Sequence, residues 1–452
     1  MKLDRLIAAI EPTEVVGPAV GEIADLAYDT RAISRGALFF CVPGAKVDGH
    51  DLAPRAVETG AAALVVERSV PADVPQLVVP SVRDAMPRAA EVFFDSPSRE
   101  LEIAAVTGTN GKTTTAFLLH AVLAAAGRRP GLLTNIERRV GGESLPTGLN
   151  TPEAIDLQRL LRAMLDAGDR SCAMEATSIA ASQGRLRGTR FAVLVFTNLT
   201  QDHLDFHGTM EDYFAAKRDL FAQADRAVVN VGDEWGRRLA AGLPDAVTFT
   251  PDDDLPDIGL RLAGSFNRTN ALGALLAARA LGIDEETIKR GIATVAAVPG
   301  RFEAVEEGQP FTVIVDYAHT PDSLANILQA ARDLADRRVL VVFGAGGDRD
   351  RDKRPVMGGI AASLADRAIV TTDNPRSEDP AGIAAEIAGG TLEIVLDRRA
   401  AIEAAIADAG PGDVVVIAGK GADREMEIAG RTVPFDDRDV ARAALRRAGA
   451  AA

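Results

Sequence analysis

The chain has 452 residues and a formal net charge of −15, with 47% hydrophobic, 25% charged and only 4% aromatic residues. Such an acidic chain lacks the basic footprint of a general nucleic-acid binder, although a local basic pocket can still hold an anionic substrate. At roughly 100–200 residues per domain, the length predicts two to four domains, with cores built from Ala, Val, Leu and Ile.

No segment approaches the apolar length that spans a bilayer. The opening "MKLDRLIAAIEPTE" is amphipathic and lacks the long apolar stretch of a secretory signal. Cys41 and Cys172 lie in apolar surroundings and read as small buried hydrophobes, not as a disulfide or a metal set. A reducing, cytoplasmic location is the expectation.

Taken in chain order, the pattern falls into three blocks without a fixed-period repeat. Residues 1–98 mix short apolar strands, "GALFFCV", "AALVVE" and "PQLVV", with turns and helices. Residues 99–298 open on "LEIAAVTGTNGKTTTAFLLHAVLAAAG", a buried strand, a Gly/Thr loop and an apolar-periodic helix closed by Gly127. Strands at "SCAME", "FAVLVFTN" and "RAVVN" follow, separated by helical patterns. Residues 299–452 carry "FTVIVDYA", "RVLVVFGAGG", "RAIVTTDN" and "DVVVIAGKG", again alternating with helices. This alternation predicts an α/β fold with mostly parallel sheets. Ligands of such sheets bind outside the carboxyl ends of the strands.

The segment "TGTNGKTTT", Thr107 to Thr115, sits between a strand and a helix. Gly108 and Gly111 let the loop, with Thr109 and Asn110, curl so that its N–H groups face phosphate oxygens. Lys112 brings a point charge for the β- and γ-phosphates, and Thr113 offers a hydroxyl to Mg²⁺. Thr114 follows at the helix start, whose partial positive charge adds to the site. Val106 stands where the strict phosphate-loop pattern has its first glycine, so the match is to Gly-Lys-Thr in the right context. The alternative is a Gly-rich turn capped by threonines; the favoured ligand is ATP or GTP.

Further along, "CAMEATS" places Glu175 after an apolar stretch. "VFTNLTQDHLDFHG" places Asn198, Asp202, His203, Asp205 and His207 after another. A carboxylate and an imidazole at neighbouring strand ends could hold Mg²⁺, whereas a single loop histidine by itself reads as a hydrogen-bonding residue. Thr209 and Asp212 resemble a capping box, and Lys217 lies two turns into the helix they begin. From composition alone, Lys217 is a surface lysine. In "VTTDNPRSEDP", Arg376 stands among Asp373, Asn374, Glu378 and Asp379 at the end of a buried strand. It either pairs with Glu378 or Asp379 in a surface turn or offers its planar fork to a ligand carboxylate.

Together, "DTR…GALFFCVPG…DGH", "TGTNGKTTT", "MEATS…QGR", "FTNLTQDHLDFHG…AAK", "PGRFE", "VDYAHTPDSL", "GAGGDRDRDKRP", "DNPRSEDP" and "AGKG" resemble, in content and order, the MurE branch of the Mur ligase family. The resemblance covers nearly the whole chain. It implies a UDP-binding domain at 1–98, a central ATPase domain at 99–298 and a Rossmann-like, amino-acid-binding domain at 299–452. It implies amide-bond formation through an acyl phosphate, from ATP, UDP-MurNAc-L-Ala-D-Glu and a diamino acid. A monomer with no nucleic-acid partner is expected.

By the same resemblance, Lys112, Glu175, His203 and Lys217 carry the chemistry. Lys217 falls on the position of a lysine carbamylated by CO₂, and Thr113, Glu175, His203 and Lys217 are placed around two Mg²⁺ ions. Asn267, Arg301 and Asp316 fall in ATP-binding stretches, with turn or cap roles as the alternative. Thr30, Asn150, Thr151, Thr177, Gln183 and Arg185 fall on contacts of the UDP-MurNAc-dipeptide. Arg349, Asp373, Asn374, Pro375, Arg376, Gly419 and Asp423 fall on the amino-acid site, and Arg376 marks users of meso-diaminopimelate.

Three departures stand out. The family's "GKGHE" is "GKGAD" at Gly419–Asp423, Ile179 stands where many members have His, and Asn150 replaces the first Thr of "TTPE". Asp423 reaches about 1.5 Å less than a glutamate, so lysine, ornithine or another diamino acid stays open as the substrate. A non-catalytic nucleotide-binding homologue would have no need of all four chemical residues. A folate-polyglutamate ligase is a more distant reading, disfavoured by the amino-terminal "DTR…DGH" block.

Overall fold

The computed structural model describes residues 1–44 and 47–451. Contacts divide the chain into two compact units, one of residues 1–107, 127–194 and 216–227, the other of residues 108–126, 195–215 and 228–452. The fold is α/β and its strand pairs are mostly parallel. Among the described residues, no helix is long and apolar enough to cross a membrane.

The first unit begins with a five-stranded sheet in the order Glu14–Val16, Gln76–Val78, Ala61–Val66, Ala37–Phe40, Asp25–Ala27. Its strands alternate between two cores, as a period of two requires. Leu38, Phe40, Ala63 and Val65 pack with helices Leu3–Ile10 and Val82–Phe93. Phe39, Leu64 and Val66 pack on the other face with Ala53 and Ala56 of helix Ala53–Thr59. Burial on both faces is why these strands read as continuous apolar runs. Elsewhere in this unit, strand Ser171–Glu175 runs parallel to both Glu102–Thr107 and Pro130–Leu133. Both cysteines are buried, and burial pushes the Cys41 thiol up to about 12.

The second unit holds a six-stranded sheet in the order Glu303–Ala304, Thr312–Asp316, Val414–Ala418, Val339–Phe343, Arg367–Val370, Glu393–Ile394. All its pairs but the first are parallel. Val341, Phe343, Val370 and Val416 face helices Pro321–Leu334, Lys353–Leu364 and Pro380–Ala388. Leu340, Val342, Ile369 and Ile417 face helices Arg398–Asp408 and Asp437–Ala451. The sheet is therefore wound on both faces. The carboxyl ends of its four central strands open one edge, and the loops beginning at Tyr317, Gly344, Thr371 and Gly419 start there. A hairpin, Glu425–Ile428 with Arg431–Pro434, follows the last of these loops.

In the same unit, helix Lys112–Ala125 packs against helices Ser265–Ala280 and Glu285–Ile292. The closest approach is at Gly291, where an added Cβ would lie 2.6 Å from Val122 Cα and 2.9 Å from the Ala121 carbonyl oxygen. Alanine in place of glycine normally favours a helix by about 1 kcal/mol. Here the sign reverses, because backbone cannot yield as a side chain can. Gly291→Ala is expected to destabilise the protein by about 2 kcal/mol through overpacking, read as a lowered urea midpoint at unchanged slope.

Candidate active site

The loop from Gly108 to Lys112 is fixed from several sides. Gly111 has φ +86°, and a Cβ there would collide with the buried Asn270 side chain. Lys112 Nζ donates to the carbonyls of Gly108 and Thr109 at 3.0 and 2.7 Å, so its charge sits over the loop. The Asn110 amide donates to Asn198 Oδ1 at 2.9 Å, and its side chain donates to Asp322 at 2.8 Å. Thr197 Oγ1 donates to the Asn110 carbonyl at 2.6 Å. Thr109 Oγ1 is 3.1 Å from the Tyr213 hydroxyl. Thr113 and Thr114 are buried at the start of the helix. Asn267 donates to the Ala263 carbonyl at 2.7 Å and accepts from Asn270 at 3.2 Å, so its side chain braces the start of its own helix.

Arg301 reaches the loop: its Nη2 donates to Thr113 Oγ1 at 3.1 Å while its guanidinium lies 4.3 Å from the Tyr317 ring centre. This is cation–π distance. Next to it, the Asp316 carboxylate accepts from the amides of Phe302 and Ala318, both at 2.7 Å. Burial raises its pKa in spite of the Arg301 charge and these bonds. The Asp316 carbonyl accepts from the amides of Gly419 and Gly421 at 3.1 and 3.2 Å, which binds this turn to the "GKG" loop.

Asp202 is a buried carboxylate between two imidazoles, 3.4 Å from His203 Nε2 and 3.8 Å from His319 Nε2. Burial would raise its pKa, but His319, His203, Lys353 and Lys112 together hold it below the usual carboxylate range. Burial pushes the His319 imidazole down, and its Nδ1 is 2.8 Å from the Tyr317 carbonyl. His203 itself has φ +55° at the start of a short helix.

At the other edge of this unit, Arg354 is fully buried and binds Glu378 at 2.8 and 3.0 Å and Glu386 at 2.7 Å. Asp379 caps helix Pro380–Ala388 through the amides of Ala381 and Gly382. The surface-turn pairing of Arg376 with Glu378 or Asp379 is therefore not what the structure has, because both acids are committed elsewhere. Arg376 has φ +53°, and its Nη1 donates to the Gly347 carbonyl at 2.6 Å. Asn374 Oδ1 accepts from the Glu427 amide at 2.9 Å, and Pro375 closes the turn by accepting from Glu378 N. The Asp373 carboxylate is buried against Gly419. Arg349 is half-exposed, 3.5 Å from Asp205. Burial raises the Asp423 pKa against the pull of Lys420, a buried lysine whose Nζ donates to the Glu425 carbonyl at 2.6 Å.

In the first unit, Thr151 is the hub. Its hydroxyl donates to the Glu175 carbonyl at 2.9 Å and accepts from the Thr177 amide and hydroxyl at 3.2 and 3.1 Å. Arg185 donates to the Thr151 carbonyl at 3.1 Å, lies 3.0 Å from Glu153 and bonds Gln183. Thr151, Thr177, Gln183 and Arg185 are thus brought together, while Asn150 is exposed and Thr30 is buried in a short 3₁₀ turn of the amino-terminal sheet. Glu175 and Lys217 are each 1% exposed. The surface-lysine reading of Lys217 is thereby overturned: its helix, Met210–Arg218, turns that face inward.

Family models match three successive stretches: "Mur ligase family, catalytic domain" over residues 22–99, "Mur ligase middle domain" over 106–278, and "Mur ligase, glutamate ligase domain" over 300–421. A UDP-N-acetylmuramoyl-L-alanyl-D-glutamate–2,6-diaminopimelate ligase of Geobacillus kaustophilus (strain HTA426) is 44% identical, covering 99% of this chain and 100% of that one. The chain belongs to the Mur ligase family. A protein of the same name from Streptomyces coelicolor (strain ATCC BAA-471 / A3(2) / M145) is 41% identical over 94% of this chain and 93% of its own. A solved structure of a ligase with that name superposes with a TM-score of 0.67 at 29% identity, covering 99% of both chains.

Several residues that shape this Mur ligase site escaped the sequence reading: Asp202 as the partner of two histidines, Tyr317, His319, Asn270, and the buried arginines Arg354 and Arg398. Asn270 and His319 lie three residues after Asn267 and Asp316 respectively, so spacing could have drawn attention to them. Arg398 had no signal at all.

No three His, Cys, Asp or Glu side chains cluster as a ready metal site among the described residues. Mg²⁺ takes oxygen ligands, and an ammonium is not one. Of the expected donors, Thr113 and Glu175 offer oxygens, whereas His203 offers only a ring nitrogen and is the poorer fit. Lys217 fits only as a carbamate, which would convert its nitrogen terminus into anionic oxygens.

The Arg354 pairing sets a pH dependence. Arg354 holds the Glu378 carboxyl down at about 2, from 4.5. A depressed carboxyl contributes stability that is complete above its unfolded pKa and disappears as pH falls through its folded one. Glu378→Gln is expected to be less stable than the parent at pH 7. The gap should close as pH falls from about 4.5 through 2, followed by denaturant titration at each pH.

Proposed function

We propose that this Mur ligase joins meso-2,6-diaminopimelate to UDP-MurNAc-L-Ala-D-Glu, with ATP converted to ADP and phosphate, as a cytoplasmic monomer in peptidoglycan precursor synthesis. The observation that carries the reading is the Arg376 loop. Glu378 and Asp379, the acids next to that arginine in the chain, have other partners. The Glu427 carboxylate that faces it at 3.6 Å is half-exposed, so the fork can turn to a carboxylate from outside the chain. The distal carboxylate is what distinguishes diaminopimelate from lysine, and the names of full-length relatives at 40–44% identity support the same substrate.

In this reading the residues divide as follows. Gly108 to Thr114 cradle the triphosphate, with Lys112 as the local cation and Asn267, Arg301 and Asp316 beside it. Thr151, Thr177, Gln183 and Arg185 hold the muramoyl dipeptide, with Thr30 and Asn150 towards the nucleotide and sugar. Arg376, with Asp373, Asn374, Pro375, Gly419, Arg349 and Asp423, holds the diamino acid. The proposed domain limits are 1–98, 99–298 and 299–452, with the ATP and muramoyl-dipeptide groups each drawing residues from two of them.

The glutamyl carboxylate oxygen attacks the γ-phosphorus and ADP leaves, which gives an acyl phosphate. The amine of the diamino acid then attacks the acyl carbon, inorganic phosphate leaves, and the nitrogen loses a proton. Two anions must meet in the first step, so positioning and positive charge do most of the catalysis. When bound, Mg²⁺ would neutralise phosphate charge; Thr113, Glu175, His203 and carbamylated Lys217 are the proposed donors. Asp202, set between His203 and His319, orients His203.

Phosphate release measured across a diamino-acid panel tests the assignment. Turnover with meso-diaminopimelate and none with lysine or ornithine is expected; the reverse would make Asp423, with its shorter reach, the mark of a different substrate. Lys217→Ala is expected to lose turnover by more than roughly 100-fold, the upper range for a lost metal-site partner, with partial rescue by short carboxylates. Full activity in that variant would remove the carbamate.

A further inference from the structure

Two different contacts join the Arg376 loop to the hairpin that follows the "GKG" loop. One is backbone. Arg376 N donates to the Glu427 carbonyl at 3.1 Å, Ala429 N donates to the Arg376 carbonyl at 2.8 Å, and Asn374 Oδ1 receives the Glu427 amide at 2.9 Å. This clamp holds Arg376 in its left-handed backbone conformation, at φ +53°, which an L-residue adopts only at a cost. The other contact is between side chains: Arg376 Nε lies 3.6 Å from Glu427 Oε2, beyond hydrogen-bond length, with the two side chains 26% and 49% exposed.

The two contacts have different consequences. Nη1 is tied to the Gly347 carbonyl, so the Nε–Nη2 edge is the one left to meet a carboxylate side-on. Glu427 faces that edge. Its backbone is held but its carboxylate is half in water, so the carboxylate can swing away at little cost.

We infer that Glu427 is a competitive gate on Arg376, whose carboxylate occupies the Nε side of the arginine and must be displaced by a ligand that brings a carboxylate of its own. This rests on the assignment of Arg376 to the distal carboxylate of the diamino acid. The gate works by competition and like-charge repulsion. A side chain without a distal carboxylate leaves the Arg376–Glu427 pair intact and gains nothing from the arginine.

Glu427→Gln keeps the backbone clamp and the side-chain shape while removing the charge. In the full-length enzyme with saturating ATP and UDP-MurNAc-L-Ala-D-Glu, the KM for meso-diaminopimelate is expected to fall about three-fold, as for loss of one half-exposed ion pair. The KM for ATP should stay where it is. An unchanged or raised KM for diaminopimelate overturns the gate. Arg376→Lys separates the two layers of the argument. If it raises that KM while Glu427→Gln fails to lower it, the gate alone falls. If it leaves the KM unchanged, the assignment of Arg376 falls and the gate with it. In the double variant the effect of Glu427→Gln should vanish.

Discussion

The edge that carries the Arg376 and "GKG" loops depends on one buried ion pair. Arg398 is cut off from water and forms a two-point bond with Asp437, at 2.8 and 2.6 Å. Its remaining N–H groups reach the carbonyls of Ala418 at 2.9 Å and Thr372 at 3.3 Å. Ala418 ends the strand before the "GKG" loop, and Thr372 lies two residues beyond strand Arg367–Val370, just ahead of "DNPR". Desolvating such a pair costs several kcal/mol per ion, so it is poor evidence for net stability. Its value here is geometric: a rigid fork making four hydrogen bonds fixes the separation of the starts of these two loops. Apolar residues of similar volume could fill the space, but they would leave these two carbonyls without donors and the two loops free to drift.

A second chain of contacts carries the phosphate loop to the same place. Arg301 touches Thr113 at one end and stacks over Tyr317 at the other, and the neighbouring Asp316 carbonyl receives the amides of Gly419 and Gly421. A shift at the phosphate loop is therefore passed through close-packed groups, with little slack, to the loop that carries Asp423. Catalysis by positioning needs such stiffness, because effective concentration falls steeply when reacting atoms are held loosely.

The strands and their order of appearance were readable from the sequence because parallel strands covered on both faces write themselves as apolar runs, and "VLVVF" and "VVVIA" are buried at every position. The phosphate loop was readable because it joins a strand to a helix through glycines. Lys217 was not, since a lysine on a half-apolar helix face carries no mark of which way that face turns. Arg376 was readable as a candidate, but its freedom from the adjacent acids depended on Arg354 and on the helix cap at Asp379, which lie outside its own stretch. Arg398 was hidden altogether: a charged residue in a charged segment, "LDRRA", becomes a core residue only when Asp437 folds against it.

The departure at Asp423 is best weighed by charge. Burial raises the Asp423 pKa, and the neighbouring acids Asp373 and Asp437 add to it against the pull of Lys420 and Arg301. A carboxyl under that pressure gains most from a cation brought close, and Arg376 gains most from an anion. A zwitterionic end satisfies both at once, and the distal carbon of diaminopimelate carries one group of each sign. Lysine or ornithine would supply the cation and leave Arg376 facing Glu427. The shorter reach of aspartate is a loss of about 1.5 Å, which a turn held at both ends by the Asp316 carbonyl and by the Asp423 N to Lys420 O bond can place but not lengthen. Charge complementarity thus favours the diamino acid with the second carboxylate, while the methylene missing from Asp423 bears on how tightly its amine is held.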